Sequence, residues 1–233
     1  MTFHFRPALT AAALAALAIL CSLGSWQMQR LAWKTELIAK TEARLSAAPM
    51  PLDEALRRAE AGEDLEYQPV YADGVYRLDL AALVFGAHEG KPGAWVFTPF
   101  ERSAGVIYVN RGFAPQDGAA DAAKAGPAAA VRVEGLFRSA EVKRGLERAL
   151  APVDQQADNL YFARDPERLA AAHSLDVPAY YIESFGRESA APWPRGGLTR
   201  VEFPNRHLEY ALTWFGLAGA LVAVFLAFSF RRG

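Results

Sequence analysis

Charged side chains vanish from two stretches at opposite ends of the chain and crowd the residues between them. From Pro7 to Gln29 the only ionisable group is the thiol of Cys21, and Ala211 to Phe230 carries none. Crossing about 30 Å of hydrocarbon at about 1.5 Å per residue takes roughly 20 residues, so each run predicts a transmembrane helix. The spans are placed at residues 8–29 and 208–230, with a short tail at 1–7, another at 231–233, and a large domain at 30–207. The first run also has the make-up of a secretory signal, with Arg6 ahead of an Ala/Leu segment. Leu20 before Cys21 argues against a lipoprotein signal, and Trp26 with Trp33 just beyond favours an uncleaved span ending in an aromatic belt.

Between the runs the pattern is that of a small mixed domain. Residues Arg30 to Leu45 continue the first helix, with Leu31, Leu37, Ile38 and Leu45 interrupted by charges. A second helix is predicted over Leu52 to Ala61, with Asp53 and Glu54 in its first turn and Gly62 as its stop. Short β-rich runs bounded by Gly and Pro then predict strands near Val70–Leu78, Ala82–Phe85, Ala94–Phe100, Val106–Arg111, Val131–Phe137 and Ala179–Phe185. Ser103-Ala104-Gly105 reads as a tight turn within a hairpin, and the Ala/Gly/Asp-rich stretch Pro115 to Ala130 as an exposed loop. Asp165-Pro166 offers an N-cap and a first helical proline for a helix to about His173. The fold class is thus an α+β membrane protein, two terminal transmembrane helices flanking a β-rich extramembrane domain with short helices.

Composition narrows the chemistry. The 25 Lys and Arg against 26 Asp and Glu leave no basic excess for a nucleic-acid partner. A single cysteine excludes an internal disulfide and a Cys-cluster metal site. Charge does not orient the spans, because Arg6, Arg231 and Arg232 flank the terminal side while Arg30, Lys34, Arg200 and Arg206 flank the other.

Candidate chemistry is sparse. Gly86 to Lys91 is one residue short of a phosphate-binding loop and has Pro92 where Ser or Thr is required. His88 reads as a solvated loop histidine, and His173 as a helix C-terminal residue that favours the dipole there. No Ser-His-Asp arrangement stands out, so no enzymatic activity is expected.

His207 differs, because it sits where the polar segment Pro204-Asn205-Arg206 gives way to the second apolar run. Its position alone fits either an interfacial residue that sets the helix end or a ligand. On a helix His207, Tyr210, Ala211, Trp214 and Ala218 share one face. Neutral imidazole can ligate haem iron, and Trp214 two turns deeper offers a flat apolar surface for a macrocycle. Gly216, Gly219 and Ala220 are expected to pack against Ala12, Ala15 and Ala16 in a helix pair.

Four segments carry a resemblance to a known family: Gly24-Ser25-Trp26-Gln27-Met28-Gln29-Arg30-Leu31-Ala32-Trp33-Lys34; Pro69-Val70-Tyr71-Ala72-Asp73-Gly74-Val75-Tyr76; Val109-Asn110-Arg111-Gly112-Phe113-Ala114-Pro115; and Asn205-Arg206-His207-Leu208-Glu209-Tyr210-Ala211-Leu212-Thr213-Trp214-Phe215. In this order, and across nearly the whole chain, they resemble the Surfeit locus protein 1 family of cytochrome c oxidase assembly factors. Phe113 departs from the pattern, since many relatives have Trp there.

The resemblance implies a protein of the bacterial inner membrane with its central domain periplasmic and both tails cytoplasmic. It implies that haem a is bound as transient cargo and delivered to oxidase subunit I. His207 then matches the family's haem-iron ligand and Trp214 the tryptophan that affects binding, with Tyr210, Arg30 and Arg206 as weaker candidates. Arg30, Lys34 and Arg206 stand near the same interface, where they can pair with propionates or with lipid headgroups. Oxidase subunit I and the lipid bilayer are the expected partners, with haem a synthase as a further one. The rival reading is a membrane-tethered scaffold that stabilises nascent subunit I without carrying haem.

Overall fold

The structure is a computed structural model that describes residues 2–3, 6–142, 145–186, 191–198 and 204–231. Arg200 and Arg232, two of the flanking cations, lie outside the described residues. The chain divides into two compact units, Met1–Thr41 with Glu202–Gly233, and Glu42–Val201.

The first unit is a pair of long helices. Helix α1 (Pro7–Leu45) has 39 residues and α6 (His207–Ser229) has 23, about 58 and 35 Å at 1.5 Å per residue. Both are long and apolar enough to cross a membrane. Only 6% of the most apolar window of α1 and 11% of that of α6 is buried within the protein, so neither is the core helix of a soluble fold. The more shielded positions of α1 step by three and four from Thr10 through Ala13, Leu17, Leu20, Gly24 and Gln27 to Leu31. Those of α6 do the same from His207 through Ala211, Trp214, Ala218, Leu221 and Phe225. This is the alternation of a left-handed helix pair meeting along one seam. Beyond the helices, strand β1 (Thr2–Phe3) pairs antiparallel with β10 (Phe230–Arg231).

The seam corrects the expected small-residue packing. A Cβ on Gly216 or Gly219 would meet nothing within 4 Å, and Ala12, Ala15 and Ala220 are exposed. The close approach is made instead by Gly24, whose added Cβ would lie 2.7 Å from the ring of Phe215.

The second unit is built on β-strands: β2 (Met50–Pro51), β3 (Pro69–Tyr76), β4 (Ala82–His88), β5 (Lys91–Arg102), β6 (Gly105–Pro115), β7 (Val131–Ser139), β8 (Leu160–Tyr161) and β9 (Tyr180–Ser184). Their order is β2-β3-β7-β9-β6-β5-β4-β8. A further pairing of Val75–Tyr76 with Phe100–Glu101 joins β3 to β5, so β3, β7, β9, β6 and β5 close into a ring. Closure leaves these five strands no free edge within the ring. Alternate residues point inward, among them Val70, Tyr76, Phe100, Ile107, Val133, Phe137 and Ile182. Helix α2 (Leu52–Glu60) adds Leu52, Ala55 and Ala59 to this core from one face of the helix. Each fully buried large side chain contributes about 1.5–3 kcal/mol through area removed from water.

The outer face of the sheet is covered by short elements. Helix α5 (Pro166–Ala171) buries Leu169 and Ala170 beneath the Asp165 N-cap, whose carboxylate accepts a hydrogen bond from Arg168 N–H at 3.4 Å. Helix α4 (Gly145–Leu150) leaves Leu146 and Leu150 exposed. The stretch read as a patternless exposed loop contains helix α3 (Ala119–Lys124), which buries Ala119, Ala122 and Ala123. The loop reading fails because an alanine face is small enough to pack closely on the sheet without any polar-apolar contrast. His88 is likewise no solvated loop residue: it ends β4, and its ring lies 5.6 Å from that of Phe113 and 6.4 Å from that of Trp95.

Candidate functional site

The two signature segments of the helix pair, 24–34 within α1 and 205–215 at the start of α6, meet in space. Gly24 admits Phe215 at the seam. One turn further along α1, Gln27 Oε1 lies 2.7 Å from His207 Nδ1, although the residues are 180 positions apart. Two turns beyond that, Asn205 Nδ2 donates to Thr35 Oγ1 at 3.4 Å. The residues at 24, 27 and 35 follow helical steps of three and eight, so all three contacts rise along one side of α1.

His207 is the first residue of α6 and is half-buried. Arg206 stands before it at the cap position without a side-chain cap hydrogen bond. Trp214 follows on the same face two turns on, about 10 Å along the axis, and is also half-buried. The buried Asn205 Oδ1 has no hydrogen-bond partner among the described residues, an unsatisfied acceptor beside the histidine in sequence.

The weaker candidates lie at the margin. Tyr210 is exposed and off the seam. Arg206 is exposed and pairs with Glu209 at 3.4 Å. The Arg30 guanidinium lies 4.4 Å over the Trp33 ring, a cation–π contact that holds it beside the helix surface. Lys34 is half-buried on the Gln27 side of α1. Among the described residues no group of three or more His, Cys, Asp or Glu could enclose a bare metal ion. The donor set is one imidazole, a flat indole on the same helix face and the cations Arg30, Lys34 and Arg206 carried on the two helices, a chemistry that suits a planar ligand with acidic substituents.

Gln27 was not visible as a site residue in the sequence, because only the fold sets the register between α1 and α6. Its place inside the first signature segment is the signal that pointed to it.

The family model that matches is the SURF1 family, over residues 14–219. Surfeit locus protein 1 of Homo sapiens is 33% identical over 218 residues, covering 85% of this chain and 70% of its own length. That of Mus musculus is 32% identical over 217 residues, with 85% and 68% covered. A SURF1-like protein of Rickettsia felis is 27% identical over 219 residues and spans 90% of this chain and 92% of its own. The matched region holds both helix segments and the two strand segments, and the chain belongs to the SURF1 family.

Proposed function

We propose that this chain is an assembly factor for cytochrome c oxidase that binds haem a and assists its insertion into oxidase subunit I. The observation that carries the proposal is the placement of His207: one ring nitrogen is engaged by Gln27 at 2.7 Å at the start of an apolar helix, with Trp214 on the same face below it. His207 serves as an axial ligand through its other nitrogen and Trp214 packs on the macrocycle. Arg30 and Arg206 are exposed and reach propionates while their stems stay along the helices. The helices span the bacterial inner membrane, with the β-rich domain on the periplasmic side and subunit I, the bilayer and haem a synthase as partners. A carrier must release its cargo, so the site holds haem less tightly than the subunit that receives it.

The test is to purify the protein in mild detergent from a host that makes haem a and to record its visible spectrum. Wild type is expected to carry a haem spectrum and His207→Ala to lack it. A colourless wild type overturns the carrier reading in favour of a scaffold on subunit I, and an unchanged spectrum in His207→Ala removes His207 as the ligand.

A further inference from the structure

We infer that Gln27 is the positioning residue of this site: it fixes the tautomer of His207 so that Nε2 is left bare toward cargo, and it keeps the imidazole a moderate ligand. The inference rests on the haem-binding reading above. A carboxamide oxygen only accepts hydrogen bonds, so with Oε1 at 2.7 Å from Nδ1 the proton of the neutral imidazole sits on Nδ1. Nε2 then presents its lone pair. Histidines that ligate metals commonly donate their second N–H to such a partner, which sets ring orientation and donor strength together.

The reach of Gln27 is set by the backbone rather than left to side-chain freedom. Gly24, one turn before it, has room for no side chain without displacing Phe215, and Thr35, two turns after it, meets Asn205. Gln27 is thus bracketed on both sides by contacts of α1 with the second segment. The chemistry of the partner matters as well. A carboxylate opposite Nδ1 draws the proton further and raises ligand basicity more than a neutral amide does. Glutamine gives orientation without the strongest grip, which suits a protein that hands its cargo on.

The experiment uses the full chain in detergent with nitrogen-15-labelled histidine, first without haem. Wild-type His207 is expected to show the Nδ1–H tautomer, and Gln27→Leu to lose that preference. Titration with iron protoporphyrin IX is then expected to bind about 10–100-fold more weakly to Gln27→Leu than to wild type. Gln27→Glu, of the same length, is expected to recover tight binding, to release the haem more slowly than wild type and to raise the ferrous iron–histidine stretching frequency. That recovery separates loss of the hydrogen bond from loss of the fold. A wild-type His207 protonated on Nε2, with the amide turned over to donate, overturns the inference, as does equal affinity in all three proteins. If His207→Ala binds iron protoporphyrin IX as wild type does, the ligand reading fails by itself, whatever tautomer the apo protein shows, and the inference falls with it.

Discussion

The ring of strands buries Asn110 and Arg111 almost completely, while the helix pair leaves Gln27 and His207 half-buried. Both pairs belong to signature segments, and both are polar groups set among apolar neighbours. In the barrel these side chains bond to the backbone of the fold itself, with the buried Asn110 Nδ2 left without a hydrogen-bond partner among the described residues. Asn110 Oδ1 accepts from Gly112 N–H at 3.0 Å, and Arg111 donates to the carbonyls of Ala123 and Ala125 while lying 5.1 Å over the Tyr76 ring. Arg111 therefore ties the end of α3 to the barrel, and Gly112 lets the segment around Arg195 pair with Phe113 through two 2.9 Å backbone bonds. In the helix pair one nitrogen of His207 is used and the other has no hydrogen-bond partner among the described residues. A signature can thus mark either a folding constraint or a candidate site: the barrel pair is tied to the backbone of its own domain, the helix pair to each other.

The sharpest way to break that contrast is at Gly112. Its φ is +118°, and an added Cβ would lie 1.8 Å from the Arg195 carbonyl oxygen, so the backbone itself must move. Gly112→Ala is expected to destabilise the domain by about 4 kcal/mol or more, roughly 10 °C in thermal midpoint. Gly105 has the same φ with nothing within 4 Å, so Gly105→Ala is expected to cost only about 1–3 kcal/mol of backbone strain. His207→Ala should leave the domain's transition where it is while removing haem. A domain transition lowered by His207→Ala as much as by Gly112→Ala would end the distinction between the two signatures.

The barrel also stores a pH dependence. Burial pushes the Tyr181 phenol up to about 12, with nearby Glu183 adding to the rise and Arg138 opposing it. Burial pushes Tyr108 higher still. Because the folded values are raised, this stabilisation is fully present below about pH 10, where unfolded tyrosine is neutral, and is lost as pH rises through the folded values. Unfolding followed by phenolate absorbance is expected to be steep above about pH 10 and to cost on the order of a few kcal/mol. The acid side is expected to be shallow. Arg132 holds the Asp73 carboxyl below its ordinary value, so that pair adds stability above the unfolded carboxylate value and loses it as pH falls, but both side chains are exposed and salt-screened. An alkaline transition that phenylalanine at both tyrosine positions does not shift would remove this account.

Much of the barrel was legible in sequence because a strand with one buried face writes its period into the residues. The six predicted strands fall on β3, β4, β5, β6, β7 and β9, and the helix after Asp165 starts at its cap. Closure was not legible, since it depends on two residues of β3 meeting two of β5. Nor was α3, whose buried face is alanine. His207 and Trp214 stood out in the sequence as candidates, where composition changes and helical spacing aligns them, and the structure keeps both on the half-buried face of α6. Gln27 was hidden because polarity in a signature segment does not say which distant residue it meets.

The helix seam offers the smallest and most local test. Composition alone placed Gly216 and Gly219 at the interface, since small residues permit close helix approach. It cannot supply the rotation of α6 about its axis, and the seam runs instead through Ala211, Trp214 and Ala218. Gly219→Leu should therefore leave pairing intact, because its Cβ enters open space. Gly24→Leu should push α6 away at Phe215, lengthen the Gln27–His207 contact and weaken iron protoporphyrin IX binding without touching either polar residue. Cysteine cross-linking between Ala13 and Leu221 positions reads the pairing at the far end, and the haem titration reads the site. Equal effects of the two leucines on both measurements would mean that the seam is not where the signature segments meet.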